Sequence, residues 1–276
     1  MTIHQTAIVD AGATLGEGVV IGPNAVVEAG ATLGDRVTLG PHAVVSGRTT
    51  IGAGTTLHAG VAVGGPPQDL GYKGEDTAVE IGADCVLREH VTIHAGTAKG
   101  RGTTVVGNGC YLMVGAHVGH DCRVGDGVIL SNNVLLAGHS SLGDHVLIGG
   151  GAAIVQRVRI GAFAFISGLS GVTKDVVPYA YVIGHRGRLD GLNLVGLKRR
   201  GYNRAAIKTL RAAFAVLFEG EGVFADRLAT LREMAADPLV APILAFVDEA
   251  PQRPLLQPLA RATGAQNTPT FLEAGL

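Results

Sequence analysis

Four histidines stand where they could handle a proton: His94, His117, His120 and His139. His117 and His120 fall within the run GAHVGHDC, with Asp121 directly after His120, and His139 falls within LAGHSS. An imidazole changes charge near neutral pH, so a histidine oriented by a carboxylate can take a proton from a hydroxyl as a general base. The same residue types can also ligate zinc. Spacing alone leaves the base, the zinc ligand and the idle surface histidine all open, and the choice depends on the elements that hold these residues.

Those elements are written in a comb of aliphatic residues six apart. Ile3, Val9, Leu15, Ile21, Val27 and Leu33 begin it, and it continues to Val63, resumes over Ile81, Leu87 and Ile93, and runs from Val106 to Val172. Period six fits neither a helix nor an ordinary strand. It fits a chain that turns a corner every six residues and points one side chain inward per flat face, a hexapeptide parallel β-helix. Three hexads make a triangular coil of eighteen residues, and Gly, Asn and Asp at the corners tolerate positive φ. The comb predicts a first domain over 1–182, an all-β parallel β-helix.

Stacking of coils turns sequence distance into spatial register. Residues eighteen apart lie above one another, so Gly138 is predicted to lie over His120, with His139 beside it, then Gln156 over Gly138 and Arg157 over His139. The chain thus predicts a polar strip of His120, His139, Gln156 and Arg157 on one face. The comb breaks twice, over about 64–80 and about 94–105. Both breaks read as loops extruded from the column, and loops on rigid scaffolds commonly carry function.

After residue 182 the character changes. The segment 185–211 holds Arg186, Arg188, Lys198, Arg199, Arg200, Arg204, Lys208 and Arg211 against a single acid, Asp190. Asn203 reads as the cap of a helix ending at Gly220, followed by helices over 222–235 and 238–249. A small α-helical C-terminal domain over 183–250 and an extended or poorly ordered tail over 251–276 follow from this pattern.

Composition limits the function classes. A net charge of −1 provides no global field for nucleic acid. The start shows neither a charged leader nor an apolar run, and no stretch is long enough to span a bilayer, so the expectation is a cytoplasmic protein without membrane insertion. Cys85, Cys110 and Cys122 each fall four places after a comb residue, as small buried thiols would.

The strings PPQDLGYKGE, LREHVTIHAGT, AHVGHDC, LAGH and NLVGLKRRG, in this order and spacing, closely resemble the UDP-N-acetylglucosamine 3-O-acyltransferases of lipid A biosynthesis. The resemblance covers about 1–250. It implies a left-handed helix, a homotrimer with active sites between subunits, and neither metal nor cofactor. It implies a donor, 3-hydroxyacyl-acyl carrier protein, and an acceptor, the 3-hydroxyl of UDP-N-acetylglucosamine. Carried over by motif, His120 matches the general base, Asp121 its support, and the Gly138 amide the donor to the thioester oxyanion. Gln68, Asp69, His94, His117, His139 and Gln156 match substrate-contacting positions. Asn193, Arg199 and Arg200 match the nucleotide and carrier end. Gly168 matches the floor of the acyl groove, where glycine leaves room for a longer chain. The basic 185–211 segment is a plausible dock for an acidic carrier protein.

The chain departs from the family at Val155, Val195 and Gly71, where histidine, glutamate and lysine are frequent. These departures keep a 3-amino sugar acceptor open beside the hydroxyl. A zinc-dependent hexapeptide carbonic anhydrase and a non-catalytic structural β-helix are the readings from other classes.

Overall fold

The computed structural model describes residues 1–249 and 251–258. The column is a left-handed parallel β-helix. Its faces form three sheets of eleven, nine and eight strands, and the hydrogen-bonded neighbours are every third strand of the chain except at the end of the eleven-stranded sheet. Most strands are two residues long, one pointing inward and one outward. The predicted register holds: Leu112 pairs with Leu130, Val118 with Leu136 and Val124 with Leu142, all in parallel ladders.

The comb residues fill the interior. Ile21, Leu57, Leu87, Leu130, Ile148 and Ile166 are buried, as are Cys85, Cys110 and Cys122 as free thiols. In the first coil Ile3 remains exposed at the end of the column, while Ile8 is exposed as the outward residue of its strand. Each buried Val, Leu or Ile contributes about 1.5–3 kcal/mol, which explains how a column with such short strands stays closed. At one corner of successive coils, non-glycine residues adopt the left-handed conformation. Asp121, His139 and Arg157, eighteen residues apart, have φ of 59°, 63° and 65°. A side chain in that conformation costs roughly 1–3 kcal/mol unless its surroundings hold it.

The two breaks in the comb are excursions, but shorter than the spacing predicts. Strands Ala62–Gly65 and Ala78–Ile81 bound the first, so the loop is 66–77. Strands Thr92–His94 and Thr103–Val106 bound the second, so the loop is 95–102. The flanking residues remain in the ladder, since Ala78 pairs with Arg48 below and Thr103 above. A polar flank without comb residues resembles a loop even where its backbone is fully paired.

The column closes on an antiparallel pair, Ala180–Ile183 with Arg188–Leu192. Helix α1 (Leu194–Arg199) follows and was not visible in the sequence pattern, being under two turns long. Helix α2 (Arg204–Glu219) is capped by the Asn203 side chain and buries Ile207, Leu210, Phe214 and Leu217, as its spacing predicts. Helices α3 (Phe224–Glu233) and α4 (Ala241–Asp248) fall inside the ranges read from the sequence. Residues 251–258 return to the column: Leu256 donates to the Asp175 carbonyl at 2.7 Å, and the Asp175 amide donates to Pro254 at 3.0 Å. The remainder of the tail, 259–276, lies outside the described residues.

Candidate active site

The site is built at the corner that carries His120 and Asp121. Both are buried, and the His120 ring nitrogen Nδ1 lies 2.8 Å from Asp121 Oδ2. With a carboxylate as partner, Nδ1 carries the proton and Nε2 presents a lone pair. One coil on, Gly138 lies over this ring. A β-carbon at position 138 would sit 2.5 Å from Nε2 and 2.6 Å from Cε1. Only glycine fits there. His139 donates its amide to the His120 carbonyl at 2.9 Å, and the two rings meet edge to face with centroids 4.9 Å apart.

Asp121 is held from the other side by the loop 95–102. Its Oδ1 accepts the amides of Arg101 at 2.7 Å and Gly102 at 3.1 Å, and its Oδ2 accepts the Thr97 hydroxyl at 2.7 Å. The Thr97 amide lies 3.1 Å from both oxygens. Burial alone would raise the carboxyl, but the hydrogen bonds from His120, Thr97 and Arg101 outweigh it and hold Asp121 below the ordinary carboxylate value. Burial holds the His139 imidazole below its usual value, with Asp121 opposing and Arg157 adding to the effect. Burial does the same to His117, helped by His94 and His120. Both rings are therefore neutral at physiological pH.

His120, Asp121 and His139 bring ligand atoms within 4.8 Å of one another, close enough to invite a metal. Their hydrogen bonding fits a metal poorly. A carboxylate offers about four lone-pair sites, and Asp121 already receives three amides, one hydroxyl and His120.

His94 and His117 pack edge to face at 5.2 Å beside the strip, with His117 bonded to the Thr92 hydroxyl and His94 Nδ1 2.6 Å from the Pro66 carbonyl. That contact anchors the first loop. Its Gln68 and Asp69 are exposed, and the Asp69 carboxylate accepts the Gly71 amide at 2.7 Å. Gln156 is exposed two residues after Ile154, which pairs with Leu136, so it continues the strip past Gly138. Gly168 is exposed, and a β-carbon there would lie 3.1 Å from the Gly150 carbonyl oxygen.

Asn193, Arg199 and Arg200 are at the far end of the column and do not join the histidines within one chain. Asn193 caps α1 through Gly196 and donates to the Phe163 carbonyl at 2.9 Å, and the Arg200 guanidinium rests over the Phe163 ring. Phe163 is more than two coils beyond His120, roughly 10–15 Å along the axis at ~4.8 Å per coil. Between the antiparallel pair and α2 lies a cavity of about 800 Å³, lined by Arg186, Arg188 and Arg211 with Phe214 and Phe218. Thr97 and Arg101 were not among the residues read from the sequence. The signal in the sequence is that Ile93 and Val106 stand thirteen residues apart, one more than two hexads.

A family model described as UDP N-acetylglucosamine O-acyltransferase, domain 2, matches residues 175–256, and a bacterial transferase hexapeptide model matches 1–35 and 103–138. The acyl-(acyl-carrier-protein)–UDP-N-acetylglucosamine O-acyltransferase of Azorhizobium caulinodans is 49% identical over 93% of this chain and 95% of its own length. The protein of that name from Rhizobium johnstonii is 46% identical over 85% of this chain and 86% of its own. Among solved structures, LpxA from Acinetobacter baumannii superposes with a TM-score of 0.90 at 34% identity, covering 93% of this chain and all of the other. The UDP-N-acetylglucosamine acyltransferase of Campylobacter jejuni gives 0.88 at 36% identity, covering 93% and 99%.

Proposed function

Because this chain belongs to the family of acyl-carrier-protein-dependent UDP-N-acetylglucosamine O-acyltransferases, we propose that His120 is the general base of that reaction. The chain is an O-acyltransferase of lipid A biosynthesis that moves a 3-hydroxyacyl group from acyl carrier protein to the 3-position of UDP-N-acetylglucosamine. The carrying observation is the buried His120–Asp121 pair at 2.8 Å with Gly138 over its ring.

The sugar 3-hydroxyl gives its proton to His120 Nε2 as its oxygen attacks the thioester carbonyl. The oxyanion of the tetrahedral intermediate accepts the Gly138 amide, which has no other acceptor among the described residues. Collapse expels the carrier's thiolate, which takes the proton back from His120, leaving an ester and a free thiol. The base contributes about 10²–10⁴-fold and one oxyanion donor about 10²–10³-fold. Asp121 holds the imidazolium as it forms.

His94, His117, His139 and Gln156 line the acceptor's side of this centre, with Gly168 at the floor of the acyl groove. Gln68, Asp69, Asn193, Arg199 and Arg200 belong to the same site when contributed by a second copy. Two features support such a homotrimer: in one chain Asn193, Arg199 and Arg200 stand apart from His120, and Leu70, next to Asp69, is fully exposed. We divide the chain into the column 1–182 that carries the chemistry, a helical domain 183–250 and a tail from 251. The cavity, in which Arg186, Arg188 and Arg211 outnumber the acids Asp190 and Glu219, suits an acidic carrier protein. Among the described residues no helix is long and apolar enough to cross a membrane. We place the reaction in the cytoplasm.

Purified protein assayed with a panel of 3-hydroxyacyl carrier proteins against UDP-N-acetylglucosamine and its 3-amino analogue tests this. An ester on UDP-N-acetylglucosamine is expected, and its loss in a folded His120→Ala variant. Near-normal turnover in that variant would remove His120 from the mechanism.

A further inference from the structure

The loop 95–102 interrupts a repeat that needs no interruption for stability, and it wraps one buried carboxylate. Three of its amides and the Thr97 hydroxyl converge on Asp121. The loop can close this far only because position 100 lacks a side chain. A β-carbon on Gly100 would fall 2.4–2.5 Å from the Asp121 carboxylate. Gly96 is equally constrained, since a β-carbon there would meet the Gly102–Thr103 peptide at 2.3 Å. Arg101 then ties the loop to the column: its guanidinium donates to the Asp121 carbonyl at 2.7 Å and reaches Ser141 Oγ, on the next coil, at 3.2 Å.

We infer that this loop is a positioning device for His120, with Thr97, Gly100 and Arg101 as positioning residues that act through Asp121. The inference rests on the reading of His120 as the base. A carboxylate free to rotate can offer either oxygen to an imidazole and can compete for its proton. Here both oxygens are filled by donors, leaving one lone pair directed at His120 Nδ1. His139, whose Nδ1 is 3.8 Å from the same Oδ2, is left outside hydrogen-bond distance. The loop thus selects which histidine receives the carboxylate and which tautomer it adopts, and Nε2 is the nitrogen left free for the substrate.

Thr97→Val removes one donor at nearly constant volume. Its kcat is expected to fall about tenfold or more, with KM for both substrates within about twofold, because binding groups are untouched and only the base loses orientation. Thr97→Ser restores the hydroxyl and is expected to return kcat to within about threefold of wild type. Gly100→Ala removes no donor but displaces the carboxylate, and is expected to lower kcat about a hundredfold. The ¹⁵N spectrum of the His120 ring gives a readout independent of turnover. Wild type is expected to show the Nδ1-protonated tautomer alone, and Thr97→Val and Gly100→Ala a mixture. Unchanged kcat in both variants, or an unchanged ring spectrum in folded Gly100→Ala, would overturn the inference. A fully active His120→Ala would instead overturn the base assignment while leaving the tautomer result intact.

Discussion

Gly138 and His120, eighteen residues apart, approach so closely that the imidazole occupies the space a side chain at 138 would need. The glycine is therefore required to leave room for the ring. Gly138→Ala is expected to keep the column intact and to turn the His120 ring away. Its kcat should fall about 10²–10⁴-fold, the range for losing a positioned general base. Steady-state kinetics on folded protein checks this, and a variant within tenfold of wild type would refute it.

Stability should fall on mild acidification. His117 and His139 are held neutral by burial, below their ordinary value, whereas unfolded histidines titrate near about 6.5. The unfolded chain then binds more protons than the folded one, so stability is full above about pH 6.5 and is lost as pH falls below it. Asp121 adds a second loss at lower pH, because its carboxyl is held below the unfolded value of about 3.9. Calorimetry from pH 7.5 to 5 should show a falling Tm, with a shallower fall in His117→Gln/His139→Gln. An identical slope in the double variant would discard this source.

The two residues Leu130 and Asn132 are close in sequence and opposite in environment. Leu130 is fully buried on the interior face, while Asn132 is exposed at a corner. Leu130→Asn is expected to cost about 3–5 kcal/mol, from lost burial and an unpaired amide, and Asn132→Ala about 0.5 kcal/mol or less. Denaturant unfolding of the two variants compares them directly. Equal midpoints would contradict the interior assignment of the comb.

Chain-length preference should respond to position 168. Gly168→Met fills the proposed floor of the acyl groove and is expected to shift preference toward shorter 3-hydroxyacyl donors. Competition between donors of different length, read as a ratio of kcat/KM, measures it. An unaltered ratio would separate Gly168 from chain-length selection.

The parts of this site that follow the repeat were legible in the sequence, because a fixed coil length converts residue number into position. Counting eighteens puts Gly138 over His120 and Arg157 over His139 without any structural information, and ladders such as Val118 with Leu136 have that register. What the count cannot reach lies where the repeat stops. Thr97 and Arg101 meet Asp121 through a loop whose path is set by contacts, with no period to read. Asn193 was legible as a motif, but its role as the cap of α1 depends on a short helix that leaves no clear apolar pattern.

The ladder across each loop also states how the gene can vary. Ile51 pairs with Ile81, thirty residues on where a plain coil needs eighteen, and Ile81 pairs with Val106, twenty-five on. The two loops thus add twelve and seven residues (30 − 18 and 25 − 18). Within the uninterrupted stretch from Val106 to Val172, a single-codon deletion would rotate every later side chain out of phase, turning core residues to solvent. The same deletion in 66–77 would leave the downstream phase untouched. Length changes that survive selection should therefore cluster in the loops or arrive as whole coils of eighteen, and natural variation in loop length is a route by which such columns diverge while keeping their core.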